Sequence, residues 1–337
     1  MPLESVRRTL APSSGAGSDT RPWTVAFYLV PEFPMMAFAA AAEPLRSANR
    51  LSGARHFDWR LYSRDGKPVR ASNGIDVPVA GSLVETRDVD LLMVCAGSQG
   101  ASDAGEAKML RRIAQGGAAI GGISLGAYPL ARAGLLDGKR CALHWENLAA
   151  FAEEFPRVRT TNDIFAIDGD CYTCSGGTAA LDMMLQVVTA RQGAALANAV
   201  SEQFIHPQIR TAHDPQRMTI QARLGVGNAK LIAAVSIMEN AIDEPRAVQD
   251  IAAAVELSPR QLERLFARYL GVRPRDHYLK LRLARARTLL RETTRPILDV
   301  AVASGFASAS HFSRLYREAH GHRPSDERVP CQQGGKR

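Results

Sequence analysis

The stretch D-V-A-V-A-S-G-F-A-S-A-S-H-F-S-R-L-Y-R-E-A-H-G-H-R-P, Asp299–Pro324, decides how the C-terminal third of the chain folds. Its first part, with Ile297 and Leu298 in front, predicts a short helix of small residues ending at Gly305. A second helix over Ala309–Ala319 turns Phe312, Leu315 and Tyr316 inward and Ser310, His311, Arg314 and Arg317 outward. Alanines let two such helices approach closely, and a tight turn between them gives a helix-turn-helix. A single copy reads equally well as a helical hairpin with a solvated charged face. There are two copies. Arg264, Leu265, Phe266, Gly271, Arg273 and Pro274 recur as Arg314, Leu315, Tyr316, Gly321, Arg323 and Pro324, at a constant offset of 50. Asp250, Ile251 and Ala252 recur as Asp299, Val300 and Ala301 at 49, so the second turn is one residue longer.

The first copy has clear punctuation. Asn228 caps a helix through Asn240 with Leu231, Ile232, Val235 and Met238 on one stripe, and Glu244-Pro245 breaks it. A short alanine-rich helix over Val248–Val255 follows. Ser258-Pro259 then starts the second helix, a hydroxyl cap followed by a proline at the first helical position. That helix is expected to bury Leu262, Leu265, Phe266 and Tyr269 and to present Arg260, Gln261, Arg264 and Arg268. A long basic helix, about His277–Arg291, connects the copies through a seam of Leu279, Leu283, Ala286 and Leu290. A rigid connector of this kind sets two recognition helices about one DNA turn, ~34 Å, apart.

Charge points the same way. The 337 residues carry 42 Lys+Arg against 34 Asp+Glu, a net of +8. Residues 228–328 hold 17 basic and 12 acidic residues, so most of the excess lies in the part with the repeats, as a polyanion-binding region requires. Arg and Gln side chains make bidentate contacts to purine edges. Arg260, Gln261, Arg264, Ser310, His311 and Arg314 are therefore candidates for base contacts. Arg268, Arg317, Lys280, Arg282 and Arg287 are candidates for phosphate contacts or solvated positions.

These residues, Asp299–Pro324 above all, resemble the AraC/XylS-type DNA-binding domain. The resemblance covers about 100 residues and implies promoter DNA as a partner, with RNA polymerase beside it. Glu327 departs from the pattern, since the family often carries an aromatic residue there.

The front of the chain alternates strand and helix signals: strands at Trp23–Val30, Phe57–Tyr62, Asp90–Cys95 and Ala118–Ile123, helices at Met36–Asn49, Ala104–Gln115 and Leu125–Ala133. Such alternation predicts a mostly parallel, flavodoxin-like α/β sheet with helices on both faces, followed by an all-α domain with two helix-turn-helix motifs. In such sheets ligands bind at the strand C-termini. Gly122-Ile123-Ser124-Leu125-Gly126 falls at one of them and reads as a nucleophile elbow. A serine hydrolase or amidase would need a histidine base and an oriented acid, for which His144 and Glu43 offer themselves, in the order acid–Ser–His.

Gly121–Gly126, Ala131–Gly138, His144-Trp145-Glu146 and Ser175–Asp182 resemble the PfpI-type, class I glutamine amidotransferase-like domain of GlxA-family regulators. That superfamily's enzymes carry cysteine at the elbow, where this chain has Ser124. An unactivated hydroxyl is a far weaker nucleophile, so the resemblance implies a binding domain without catalysis. The backbone N–H groups at Ser124 and Leu125 are then expected to face a carboxylate. Glu43, Arg46 and Asn49 fall near one helix face, with Glu43 suited to a cationic amine. Trp145 and aromatic residues near Phe27, Tyr28 and Phe33 suit methylated ammonium groups. The resemblance implies amino-acid-, betaine- or carnitine-like effectors and, with paired half-sites, a homodimer.

The rest is exclusion and division. The longest apolar run, Met35–Ala42, is far short of the ~20 residues of a spanning helix. The five scattered cysteines read as reduced thiols of a cytoplasmic protein, and the lone C-x-x-C at Cys171–Cys174 fits a strand better than zinc. Neither metal nor cofactor is expected. The expected divisions are a polar tail over 1–22, the sensing domain over 23–205, a linker over 206–227, the DNA-binding domain over 228–328 and a tail over 329–337.

Overall fold

The computed structural model describes residues 21–97, 103–293 and 295–327. Apart from Arg21 and Pro22, the expected N-terminal tail lies outside them, as do the C-terminal tail and Cys331. Arg21 is part of the fold, since its guanidinium donates to both carboxylate oxygens of Asp90 at 3.0 and 2.7 Å.

The chain divides into two compact units between Gln216 and Arg217. In the first, the strands are β1 (Trp23–Leu29), β2 (Phe57–Ser63), β3 (Val69–Arg70), β4 (Asp76–Val77), β5 (Gly81–Ser82) and β6 (Leu91–Ala96). They continue with β7 (Ala119–Ser124), β8 (Arg140–Ala142), β9 (Arg159–Thr161), β10 (Phe165–Asp168) and β11 (Cys171–Cys174). Seven form one sheet in the order β10-β11-β7-β6-β1-β2-β5. Every pairing is parallel except that of β10 with β11. The Cys171–Cys174 pattern is thus a strand, as its alternation predicts, and all four of its residues are buried.

Helices cover both faces: α1 (Met35–Ser52), α2 (Ala104–Gln115), α3 (Ala127–Arg132), α4 (Leu148–Glu154), α5 (Ala179–Gln192) and α6 (Ala194–Gln203). That is why β1 and β6 are buried at every position. Val25, Phe27 and Leu29 with Leu91, Met93 and Cys95 enter the core under α1 and α5. Ala26 and Tyr28 with Leu92, Val94 and Ala96 enter the core on the other face. Each fully buried Val, Leu, Phe or Met among them contributes about 1.5–3 kcal/mol.

The second unit is helical: α7 (Ile220–Leu224), α8 (Ala229–Asn240), α9 (Val248–Ala254), α10 (Pro259–Leu270), α11 (Pro274–Glu292), α12 (Ile297–Ala303) and α13 (Ala309–His320). Asn228 and Ser258 cap α8 and α10 as their sequence signals predict. Leu231, Val235, Ile251, Leu262, Phe266 and Tyr278 form one core, and Leu283, Ala286, Leu290, Val300, Phe312 and Tyr316 a second. The connector α11 supplies residues to both. Tyr269, expected inside, is instead 37% exposed, with Arg268 5.4 Å from its ring.

Candidate nucleic-acid interface and ligand crevice

The two repeats meet at one joint. Tyr278 on α11 donates its hydroxyl to Ala241 O at 2.5 Å, at the start of the loop between α8 and α9. The turn of the second repeat seats on the same loop. A Cβ on Gly305 would stand 2.4 Å from both Ile242 O and Pro245 Cγ, and its φ of +76° is left-handed. Arg282 locks the turn from the other side, donating to Ser304 O at 3.0 Å and Gly305 O at 2.6 Å, with its guanidinium 4.1 Å from the Phe306 ring. Arg282 is therefore a structural tie and not the phosphate contact its sequence position suggests.

Arg287 is likewise a structural tie and not the phosphate contact its sequence position suggests. Glu327, buried at the end of the second unit, accepts from Arg287 Nε at 3.0 Å, Arg291 Nε at 2.5 Å and Tyr316 Oη at 2.7 Å, with His322 Nε2 at 3.1 Å. Burial alone would raise its pKa, but the hydrogen bonds from Tyr316, Arg287 and Arg291 outweigh it and bring it down to about 2. An aromatic residue in this place would pack but leave both guanidinium groups unpaired. Lys280 remains exposed.

The outward faces of α10 and α13 are the candidate interface. Arg260, Arg264, Arg268, Ser310, His311, Arg314 and Arg317 are all exposed. Gln261 is different. Its Oε1 accepts the Ser258 backbone N–H at 2.8 Å while Ser258 Oγ caps the Gln261 N–H, a capping box. A bidentate contact to adenine needs that oxygen, so Gln261 serves the helix start before it serves a base. Arg314 pairs with Glu318 at 2.8 Å, an exposed one-turn pair that contributes only tenths of a kcal/mol and gives way easily. Beside α13 lies a concavity of about 440 Å³ lined by Ser310, Arg314, Arg317, Arg323 and Ser325. Arg323 had no assigned role in the sequence, although its repeat partner Arg273 marks it.

In the first unit Ser124 ends β7 with φ +57°, the sharp left-handed turn of an elbow. The surrounding glycines are steric necessities: a Cβ on Gly126 would lie 1.9 Å from Val94 O, and one on Gly176 2.9 Å from Ser124 Cβ. The amides expected to cradle an anion are occupied, however. Leu125 N–H donates to Ala96 O at 3.1 Å and Gly126 N–H to Ile123 O at 3.0 Å. The Leu125 side chain is buried, and α3 has only six residues. Beneath the elbow, the Cys174 thiol takes backbone N–H bonds from Gly176 and Ser124 and is pushed up to about 11 by burial. Burial also pushes Cys95 far up. Such thiols are poor nucleophiles.

The other crevice residues fall into separate groups. Glu43 and Arg46 pair with each other at 2.6 Å, so the Glu43 carboxylate already has a cation. Asn49 is a strut rather than a ligand contact: its Nδ2 donates to Phe57 O at 2.7 Å and its Oδ1 accepts from His56 and Phe57 N–H at 2.9 and 3.0 Å. His144 faces Glu146 Oε2 at 3.5 Å and lies 5.4 Å from the Trp145 ring. Burial lowers the His144 pKa, with Glu146 opposing it. Trp145 is 37% exposed. Glu43, paired with Arg46, is not the acid that orients His144, whose Nδ1 faces Glu146 instead. Phe27, Tyr28 and Phe33 are buried in the cores and offer no aromatic face to a ligand.

The DJ-1/PfpI family model matches residues 24–190, and a helix-turn-helix domain model matches residues 251–328. The HTH-type transcriptional regulator GbdR of Pseudomonas aeruginosa is 42% identical over 312 residues, covering 92% of this chain and 85% of that protein. CdhR of the same organism, another HTH-type transcriptional regulator, is 43% identical over 305 residues, covering 90% of each. The crystal structure of an AraC family transcriptional regulator from Pseudomonas putida, 33% identical, superposes with a TM-score of 0.51 over 54% of this chain and 100% of that one. This chain belongs to the family of HTH-type transcriptional regulators in which a DJ-1/PfpI domain precedes an AraC-type DNA-binding domain.

Proposed function

We propose that the chain is a sequence-specific transcriptional regulator, an activator, whose non-catalytic α/β domain binds a small nitrogenous metabolite of the amino-acid, betaine or carnitine type. The observation that carries the DNA-reading half is the pair of helix-turn-helix repeats fixed at one joint by Gly305, Arg282 and Tyr278, with arginines on both outward faces. The left-handed turn at Ser124 and the part-exposed loop bearing His144, Trp145 and Glu146 support the sensing half. The Trp145 ring and the Glu146 carboxylate suit a methylated ammonium group. The activator works as a homodimer on paired half-sites and meets RNA polymerase at the promoter.

The left-handed Ser124 favours one second reading, a serine hydrolase with an attached DNA-binding domain. Ser124→Ala separates the two in a promoter–reporter strain. A sensor keeps induction within about twofold or changes only its ligand concentration dependence. A hydrolase loses turnover by roughly a thousandfold or more. Reporter induction that vanishes together with a measurable esterase or amidase activity contradicts the sensing reading.

A further inference from the structure

Residues 206–221, with two prolines and mixed charge, read as a hinge or linker between domains. The structure fastens 206–216 to the α/β unit. At the near end Ile205 takes a φ of +53°, rare for a β-branched residue, and is 91% exposed. Ser201 Oγ holds this turn by donating to His206 O at 2.5 Å. Next, the fully buried Asp182 on α5 takes the Arg210 N–H at 2.8 Å, Arg210 Nε and Nη2 at 2.9 and 2.7 Å, and His206 Nε2 at 2.9 Å. Arg210 Nη2 also donates to Thr178 Oγ1 at 2.6 Å, two residues from the Gly176 that abuts Ser124. Ile164 N–H donates to Ala212 O at 2.9 Å, and Ile209 and Ala212 pack against the core.

The far end is the informative one. Gln216 is the last residue of the first unit. Its Oε1 accepts the Trp145 backbone N–H at 2.8 Å, and its Nε2 donates to Leu143 O at 3.0 Å and Asp163 O at 2.8 Å. One carboxamide thus grips both sides of His144, in the loop that offers His144, Trp145 and Glu146. We infer that residues 206–216 form a strap that couples this loop to the chain position where the DNA-binding unit begins, with Gln216 as the coupling residue. The inference rests on the sensing reading for its biological use, while its physical content stands on these contacts.

A molecule held by the Trp145 loop shifts a two-state equilibrium only through different affinities for the two states. The strap supplies such a pair of states, because a loop conformation that withdraws Leu143 O and the Trp145 N–H removes two of the bonds holding Gln216. The strap's hold is mostly polar, with Ile209 and Ala212 as its apolar pins, so its release exposes little core.

Amide hydrogen exchange of the full-length Gln216→Ala protein, without ligand, tests the coupling. Residues 143–147 and 206–214 should lose protection together by at least ~10-fold, while Leu91–Ala96 and Ala119–Ser124 keep theirs. Protection lost only beside Gln216, or not at all, overturns the strap. If Gln216→Ala unfolds the domain, Gln216→Asn, one methylene short of its partners, is expected to give the same paired loss, and retained protection contradicts the inference. Any of glycine betaine, carnitine and the amino acids that raises the wild-type melting temperature should still raise that of the variant, without altering promoter affinity. Ligand-dependent affinity that survives Gln216→Ala also overturns the strap. A wild-type protein that answers none of these ligands counts against the sensing reading, and the exchange result still decides the strap.

Discussion

Gly305→Ala should abolish promoter-specific binding, by at least ~100-fold, while circular dichroism shows the helical unit still folded. The added methyl meets Ile242 O and Pro245 Cγ at 2.4 Å, and alanine has to hold a φ of +76°. Left-handed backbone costs an L-residue about 1–2 kcal/mol. The clash with a carbonyl oxygen adds more, because the loop is itself tied down by Tyr278. The turn relieves the overlap by lifting away, which breaks the Arg282 bonds to Ser304 O and Gly305 O and reorients α12 and α13 as a pair. Both cores survive such a shift, but the two recognition helices no longer fit one duplex face. The matching position of the first repeat makes the control. Glu256 also stands in the left-handed region, at φ +54°, and is exposed. Glu256→Gly should therefore preserve binding and change stability by less than ~1 kcal/mol, in the favourable direction. Gel-shift titration of both variants on one promoter fragment decides the matter. Wild-type affinity in Gly305→Ala would show that the joint does not set the spacing of the motifs.

Glu327→Gln is expected to cost about 3 kcal/mol at neutral pH. A fall in pKa from 4.5 to about 2 corresponds to that much stabilisation of the ionised form, at about 1.4 kcal/mol per unit. The folded-state pKa is depressed, so the stabilisation is complete above the unfolded value near pH 4.5 and disappears as pH falls through about 2. The helical unit has no tryptophan of its own, so urea unfolding followed by circular dichroism, with tryptophan fluorescence marking the transition of the α/β unit, isolates it. The gap between wild type and variant should be widest at pH 7 and shrink by more than half at pH 3. A gap that does not change with pH would mean that shape, and not charge, makes Glu327 the hub.

What the sequence discloses is what repeats or alternates over a few residues. The offset of 50 between Arg264 and Arg314 exposes the duplication, and the near-continuous apolar runs of β1 and β6 disclose a sheet covered on both sides. Caps at Asn228 and Ser258 are local hydrogen bonds, and so they are readable as well. Partnerships between distant positions leave no such trace. Arg282 and Arg287 look like surface cations of a basic helix until Phe306 and Glu327 are placed against them. Asn49 shares a helix face with Glu43 and Arg46 but is claimed by the backbone at His56 and Phe57. The elbow at Ser124 is read correctly as a turn, whereas its occupied amides depend on Ala96 in a neighbouring strand. The strap is the extreme case, because a proline-bearing polar stretch says nothing about Asp182 or the Trp145 loop.

The most direct measurement is the affinity of the full-length protein for its own upstream region and for scrambled DNA of equal length, across a range of salt. The account predicts specific binding at least ~1,000-fold tighter than scrambled, and Arg264→Ala with Arg314→Ala reducing that ratio by ~10-fold or more for each arginine. Equal affinity for both fragments at every salt concentration, or a ratio that the two substitutions leave unchanged, would contradict it.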